Sequence, residues 1–485
     1  MERSFESNFW CLLSDHGVFS NLFRRVMWVM VCVGLAWQFP WASSARAAGW
    51  KAGVAKADIT PDQLMWMSGY ASRQHRAEGT HTPLWGKVLV LEDARGQRVA
   101  AITFDLIGMD HETSNTLCQR IAKAYGLERS RIALFFSHTH CGPVVGNSLM
   151  YMNTLPEEER QLITEYTAGL LDKVVTAVGQ ALSDLTPSEL AWSRGKAGFA
   201  VNRRTNKEAE VPDLRAAGEL LGPVDHEVPV LQVSSDDKIK AIVFGYACHS
   251  TTLSFFEWCG DYPGFAMQDL EEEYPGAMAM FWAGCGGDQN PLPRGTVELA
   301  QKYGNRLAIE VQSALLSEAC PISGNLDVRY DTPEIGFVSV PTPAEVEAQL
   351  SSTNLYEVGR AKFQKQEIAT SGAVRASYAY PVQTWKLGDG PVWVILSGEV
   401  VVDYSIRLKT EIRMQHPDRP VWVAGYANDT MAYIPSLRVL KEGGYEGASS
   451  MLYYGRPSPW VDTIEEQIVG TVHGQVQSLF TQQPH

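Results

Sequence analysis

Five apolar runs, each breaking into a polar or glycine-rich tip, constrain this chain more than any other feature. They are 131–136 before Ser137-His138-Thr139-His140-Cys141-Gly142-Pro143, 239–246 before Cys248-His249, 278–282 before Gly284-Cys285-Gly286-Gly287-Asp288-Gln289-Asn290-Pro291, 391–396 before Ser397-Gly398-Glu399, and 421–424 before Gly425-Tyr426-Ala427-Asn428, with Tyr433 shortly beyond. Short apolar runs bounded by turn residues read as buried strands. Strands are also read over 85–92, 98–109, 189–193 and 228–233. The spacing of apolar residues predicts helices over 111–125, closed by Gly126, and over 157–185, 261–273, 297–318 and most of 343–370. Strands alternating with helices, with no repeat, linker or composition break after residue 49, predict a single large mixed α/β domain.

In such folds ligands gather beyond the carboxyl ends of strands. His138 and His140 stand two residues apart, so in an extended segment both side chains leave on one face. With His249, Glu399 and Tyr433 at other tips, these side chains have the chemistry of a mononuclear metal site assembled from distant segments. Taken singly, each reads better as a capped loop residue; only jointly do they point to a metal.

The composition is that of an ordinary globular chain: 485 residues, 45% hydrophobic and 20% charged. A formal charge of −14, with no basic run beyond the N-terminal segment, excludes a nucleic-acid partner, whose phosphates need clustered Lys and Arg. Residues 1–48 have the order of a secretory signal: Arg24-Arg25, then an apolar run over 26–37, then Ala45-Arg46-Ala47 with cleavage near Ala47/Ala48. The expectation is an exported protein with a catalytic domain over 49–485. The alternative is a chain tethered to the membrane by an uncleaved segment. Cys118, Cys141, Cys248, Cys259, Cys285 and Cys320 follow the signal, and an even count permits disulfides, Cys248 and Cys259 being near in sequence.

Ordered motifs from about residue 53 to 447 resemble the catalytic domain of the neutral/alkaline non-lysosomal ceramidases. They are Ala57-Asp58-Ile59-Thr60, Met67-Ser68-Gly69-Tyr70, His138 to Pro143, Tyr246 to Thr251, Ser397-Gly398-Glu399, Gly425 to Tyr433 and Tyr445-Glu446-Gly447. The resemblance implies a zinc amidohydrolase with His138, His249, Glu399 and Tyr433 as ligands, and with His140, Arg203 and Tyr445 lining the site. For Arg203 a solvated surface position beside Arg204 is the competing reading; for Asp58 and Asp261, cap or supporting roles. Where the family carries a serine, this chain has Asn290, which cannot be a nucleophile but can donate a hydrogen bond. Cys141 and Cys248, beside two implied ligands, are either disulfide partners or alternative soft ligands.

The resemblance further implies cleavage of the N-acyl amide of ceramide-like lipids. His140 would carry the proton, Tyr445, Arg203 and Asn290 would hold the oxyanion, and the surface would make peripheral membrane contact. The alternatives are a zinc hydrolase of another acyl amide or ester, and a lipid-binding relative that keeps the pocket without turnover. The family's C-terminal immunoglobulin-like domain is expected to be absent.

Overall fold

The apolar runs enter two main sheets. The computed structural model describes residues 49–149, 152 and 155–481, and the signal segment expected over 1–48 lies outside them. The larger sheet has nine strands, in the order Met278–Ala283, Lys238–Tyr246, Glu227–Ser235, Thr186–Lys196, Trp50–Asp58, Trp85–Glu92, Arg98–Phe104 and Ile132–Phe136, with Cys320–Ile322 beside Thr186–Lys196. Neighbours are antiparallel except at the edges. There Met278–Ala283 runs parallel to Lys238–Tyr246, and Ile132–Phe136 parallel to Arg98–Phe104. The smaller sheet, Leu326–Asp331, Val382–Leu387, Val392–Leu396 and Val421–Ala424, ends in a third parallel pair formed by its last two strands.

Four of these six parallel strands are buried at every residue, as their uninterrupted apolar runs require. The larger sheet curls until Ile132–Phe136 and Met278–Ala283, at opposite edges, approach one another. Tryptophans of the smaller sheet pack against both. Phe135 stacks on Trp393 at 4.8 Å, and Trp393 lies 5.4 Å from Trp282 and 5.6 Å from Trp422. Each ring is at most 2% exposed, a burial of about 2–3 kcal/mol apiece. The curl and this aromatic wedge bring the carboxyl ends of the three parallel pairs to one place.

The helix His111–Tyr125 matches its expected span. Asp110 caps it by accepting from two backbone N–H groups, and Gly126 closes it in the left-handed conformation at φ 70°. The segment expected as one helix over 343–370 is two, Pro343–Gln349 and Leu355–Ser371, because Asn354 caps a fresh start. The strand expected over 98–109 stops at Phe104. Sequence reading passed over the strands Leu326–Asp331 and Val382–Leu387 and the helix Ile464–Thr481, whose Ile464, Ile468, Val472 and Val476 are buried in the core of the smaller sheet.

All six cysteines of the described residues are free. Cys248 and Cys259 do not pair because they pack in different cores, Cys248 with Tyr246 and Tyr262, Cys259 with Ile59 and Cys141.

Beyond the strand Arg98–Phe104, Asp105 is buried and accepts from the Trp85 N–H at 2.9 Å. Burial pushes its pKa up to about 6, against the pull of Lys87. The folded state therefore binds a proton that the unfolded state has released between about pH 4 and 6, so this group lowers stability as pH rises through that window. Asp105→Asn is expected to recover about 2–3 kcal/mol at pH 7 and nothing at pH 4. Urea unfolding of both proteins at the two pH values checks this; an equal difference at both would refute it.

Candidate active site

Each parallel pair supplies one side chain and, from its partner strand's tip, the backbone that fixes it. His138 follows Ile132–Phe136. Its N–H donates to the Leu106 carbonyl at 3.0 Å and its ring Nδ1–H to the Ile107 carbonyl at 2.7 Å, both beyond the partner strand Arg98–Phe104. A carbonyl only accepts, so the proton is on Nδ1 and the Nε2 lone pair is free. That Nε2 is buried without a hydrogen-bond partner. The segment is not extended, because the strand ends at Phe136 and His138 has φ 59°. The alternation that put His138 and His140 on one face therefore does not apply. Their rings nevertheless come to 5.0 Å, the left-handed turn at His138 doing what alternation was expected to do.

His249 follows Lys238–Tyr246 in the same manner. Its Nδ1–H donates to the Gly286 carbonyl at 2.6 Å, on the tip of the partner strand Met278–Ala283. Its Nε2 lies 2.8 Å from Glu399 Oε2 and 3.2 Å from the Tyr433 hydroxyl. Glu399 follows Val392–Leu396 and opens a two-residue parallel pairing in which it sits opposite Tyr433. The Glu399 Oε2 is also 3.3 Å from His138 Nε2.

Two imidazole lone pairs thus face one carboxylate oxygen. Acceptors this close repel unless a cation lies among them. Burial, then Arg203, lowers the His249 imidazole to about 4, so a second proton on that ring is disfavoured at neutral pH. Burial opposes the charge of Glu399, yet its carboxyl is held well below its ordinary range, which takes positive charge at this point, on the His138 and His249 imidazoles or on an ion between them. The donor set fits a metal cation better than a proton.

His140 stands beside this set. The ligand nitrogens of His138, His140 and His249 lie within 4.8 Å of one another and could hold a metal ion. Both ring nitrogens of His140 lack a partner, and burial, then His138, lowers its pKa well below the usual value. Its ring rests on Tyr70 at 4.7 Å and on Gly69, where a Cβ would come within 2.4 Å of Nδ1. The glycine of Met67-Ser68-Gly69-Tyr70 is what makes room for His140.

Arg203 is no surface residue. It donates to Glu446 Oε1 at 2.8 Å, to Asn290 Oδ1 at 3.1 Å and to the Tyr433 hydroxyl at 3.1 Å. Burial opposes its charge, but Tyr433 and Glu446 hold it as a cation. Its donors are therefore aimed at a phenolic oxygen and an amide oxygen, and Asn290 serves as an acceptor for Arg203. Tyr445 is 42% exposed and its ring lies 5.2 Å from that of Tyr433, which places it at the mouth. Glu446, passed over in favour of Tyr445, anchors both Arg203 and Arg204. Tyr454, also passed over, donates its hydroxyl to Glu399 Oε1. A basic pair and an acid in adjoining motifs was the available signal for Glu446; Tyr454 had none.

Asp58 caps its own turn, accepting from the Thr60 N–H at 2.9 Å. Asp261 begins a helix and accepts from Leu253 and Tyr262 N–H groups. Burial raises the thiols of Cys141 and Cys248 well above their ordinary pKa, which favours the protonated form over the thiolate a metal needs.

Residues 50–285 match the family model "Neutral/alkaline non-lysosomal ceramidase, N-terminal". That span holds His138, His140, Arg203 and His249 but not Glu399 or Tyr433. The neutral ceramidase of Pseudomonas aeruginosa is 26% identical over 235 residues, 47% of this chain and 33% of that protein. The neutral ceramidase of Drosophila melanogaster is 33% identical over 110 residues, 22% of this chain and 15% of that protein. The chain thus spans a third or less of these curated relatives. In fold it resembles the crystal structure of neutral ceramidase from Pseudomonas aeruginosa, with TM-score 0.69 and 18% identity over 89% of this chain and 74% of that one. A ceramidase complexed with C2 gives TM-score 0.68 at 18% identity, over 89% of this chain and 75% of its own. Family model, relatives and fold agree: residues 50–285 match the N-terminal region of the neutral/alkaline non-lysosomal ceramidases, and the fold over most of the chain resembles that of a neutral ceramidase.

Proposed function

We propose that this chain is a zinc-dependent hydrolase of the neutral-ceramidase type, cleaving the N-acyl amide bond of ceramide-like lipids. The observation that carries the reading is the meeting of His138 Nε2, His249 Nε2, Glu399 Oε2 and the Tyr433 hydroxyl around one point, with both histidines locked in the tautomer that leaves Nε2 free. These four side chains would hold the ion. Two nitrogens and two oxygens suit zinc. When bound, zinc lowers the pKa of a water to about 7 and polarises a carbonyl.

The remaining residues have separable tasks. His140, neutral and with both nitrogens uncommitted, takes a proton from the attacking water and returns one to the leaving amine. Arg203, held cationic, donates to the Tyr433 oxygen, which favours the phenolate form that a metal would take, and adds positive potential where the oxyanion develops. Tyr445 stands exposed at the mouth, where its hydroxyl reaches the developing charge. Asn290 steadies the Arg203 fork through its amide oxygen, a positioning task in place of the oxyanion donor first expected. The substrate is a lipid amide, and the chain is an exported protein that meets it at a membrane surface.

Purified protein is expected to carry about one zinc per chain, to lose turnover of a fluorescent ceramide on chelation and to regain it when zinc is restored. Turnover that persists without metal would sink the proposal. Asn290 in the place of a serine favours a second reading, hydrolysis of another acyl amide or ester. A panel of N-acyl amino acids, N-acyl amines and esters separates the two by relative kcat/KM.

A further inference from the structure

Glu399 has two oxygens, and the structure gives them different work. Oε2 faces His138 at 3.3 Å and His249 at 2.8 Å. Oε1 is taken by the hydroxyl of Tyr454. We propose that Tyr454 is a positioning residue for the metal site: its hydroxyl holds Oε1 so that Glu399 offers the ion Oε2 alone. The inference rests on the zinc reading above and adds a residue to it.

Three observations set this apart from ordinary packing. The Tyr454 ring borders a cavity of about 450 Å³, together with Tyr453, Met431 and Arg456, so one side of it has no packed neighbour. The backbone of the turn is held without the ring: the Gly455 N–H donates to the Leu452 carbonyl at 3.2 Å, the Arg456 N–H to the Met451 carbonyl at 2.9 Å, and the Gln364 amide to the Gly455 carbonyl at 3.4 Å. Lastly, Glu399 is 3% exposed, so an oxygen released by Tyr454 is left inside a buried site. It would turn toward the cation or stay unpaired, and either alters the site.

The phenol is also suited to the task chemically. A carboxylate oxygen only accepts, so the Tyr454 hydroxyl is the donor to Glu399, while Tyr433, close to Arg203, is the phenol placed to accept. Two tyrosines thus serve the site in opposite roles, one as ligand and one as clamp.

Tyr454→Phe keeps the ring and removes the hydroxyl. In competition with a chromophoric chelator, the variant is expected to bind zinc about 10–100-fold more weakly than the wild type. The visible spectrum of the cobalt-substituted variant should shift, and the melting temperature of the metal-free protein should fall by less than that of the zinc-loaded form. Tyr453→Phe, one residue away on the same cavity, should leave zinc affinity as it is. Affinity within twofold of wild type in Tyr454→Phe overturns the inference. So does a loss of affinity matched by an equal fall in metal-free stability, which would make the role structural. A wild-type protein that binds no zinc overturns the metal reading itself, and the inference with it.

Discussion

On the proposed zinc reading, His249→Ala is expected to leave a folded protein without stoichiometric zinc and with nearly all hydrolysis lost. The side chain is 1% exposed and links two of the three tips, through Gly286 on one side and Glu399 on the other. A four-ligand zinc site is worth about 10–16 kcal/mol, so one ligand accounts for about 3–4 kcal/mol, or two to three orders of magnitude in affinity. The remaining set would still hold Glu399 and His138 together but with a gap where the second nitrogen was. Dialysis against a chelator that the wild type withstands would then strip the ion, and turnover of the fluorescent ceramide should fall by at least about 100-fold. Metal analysis, far-UV circular dichroism and initial rates on the same preparation check this. Zinc retained at one per chain with rates within threefold of wild type would sink the site assignment.

The extent to which this site was legible in sequence follows from the range of the forces that build it. Continuous burial leaves a local mark, so 131–136 and 421–424 are legible to within a residue, and the helix 261–273 is legible from its own spacing of apolar residues. Helix ends with their own caps, such as Asp110 and Gly126, were equally plain. The convergence of His138, His249, Glu399 and Tyr433 leaves no local mark. It depends on the larger sheet curling so that its edges approach, and on Trp393 and Trp422 filling the space between. Only ordered motifs, compared with a family, brought those four residues together beforehand. Strand alternation does not account for the histidine pair: His138 and His140 share a site although no strand runs through them. The strands Leu326–Asp331 and Val382–Leu387 were missed because polar residues such as Arg329, Gln383 and Thr384 interrupt their apolar pattern, although Gln383 and Thr384 are buried and hydrogen-bonded.

Gly287→Val is expected to damage fold and site together, and the reason lies in how the three tips touch. A Cβ at Gly287 would stand 2.6 Å from the Glu399 carbonyl oxygen and 2.9 Å from that of Val400. Both obstacles are backbone, so neither can turn aside. The Gly287 N–H also donates to the Val400 carbonyl at 2.8 Å, which is the bond that seats the tip of Met278–Ala283 against the tip of Val392–Leu396. The next residue, Asp288, spreads the same contact: it accepts from the Val402 N–H at 2.9 Å and from the Asn202 amide at 2.8 Å, and its carbonyl accepts from the Arg203 N–H. Forcing a side chain between these backbones costs about 1–3 kcal/mol for alanine and more for valine. Because Glu399 is the residue pushed, zinc affinity should fall before the fold does: Gly287→Ala is expected to remain folded with weakened zinc, and Gly287→Val to lose both. Gly169→Ala is the control, since a Cβ there meets nothing within 4 Å and the position lies within the helix Glu157–Ser183. That change should raise stability by about 0.5–1 kcal/mol without touching the metal. Thermal melts with and without zinc decide the matter. If Gly287→Ala binds zinc as the wild type does, the close approach of the tips is not what holds Glu399 in place.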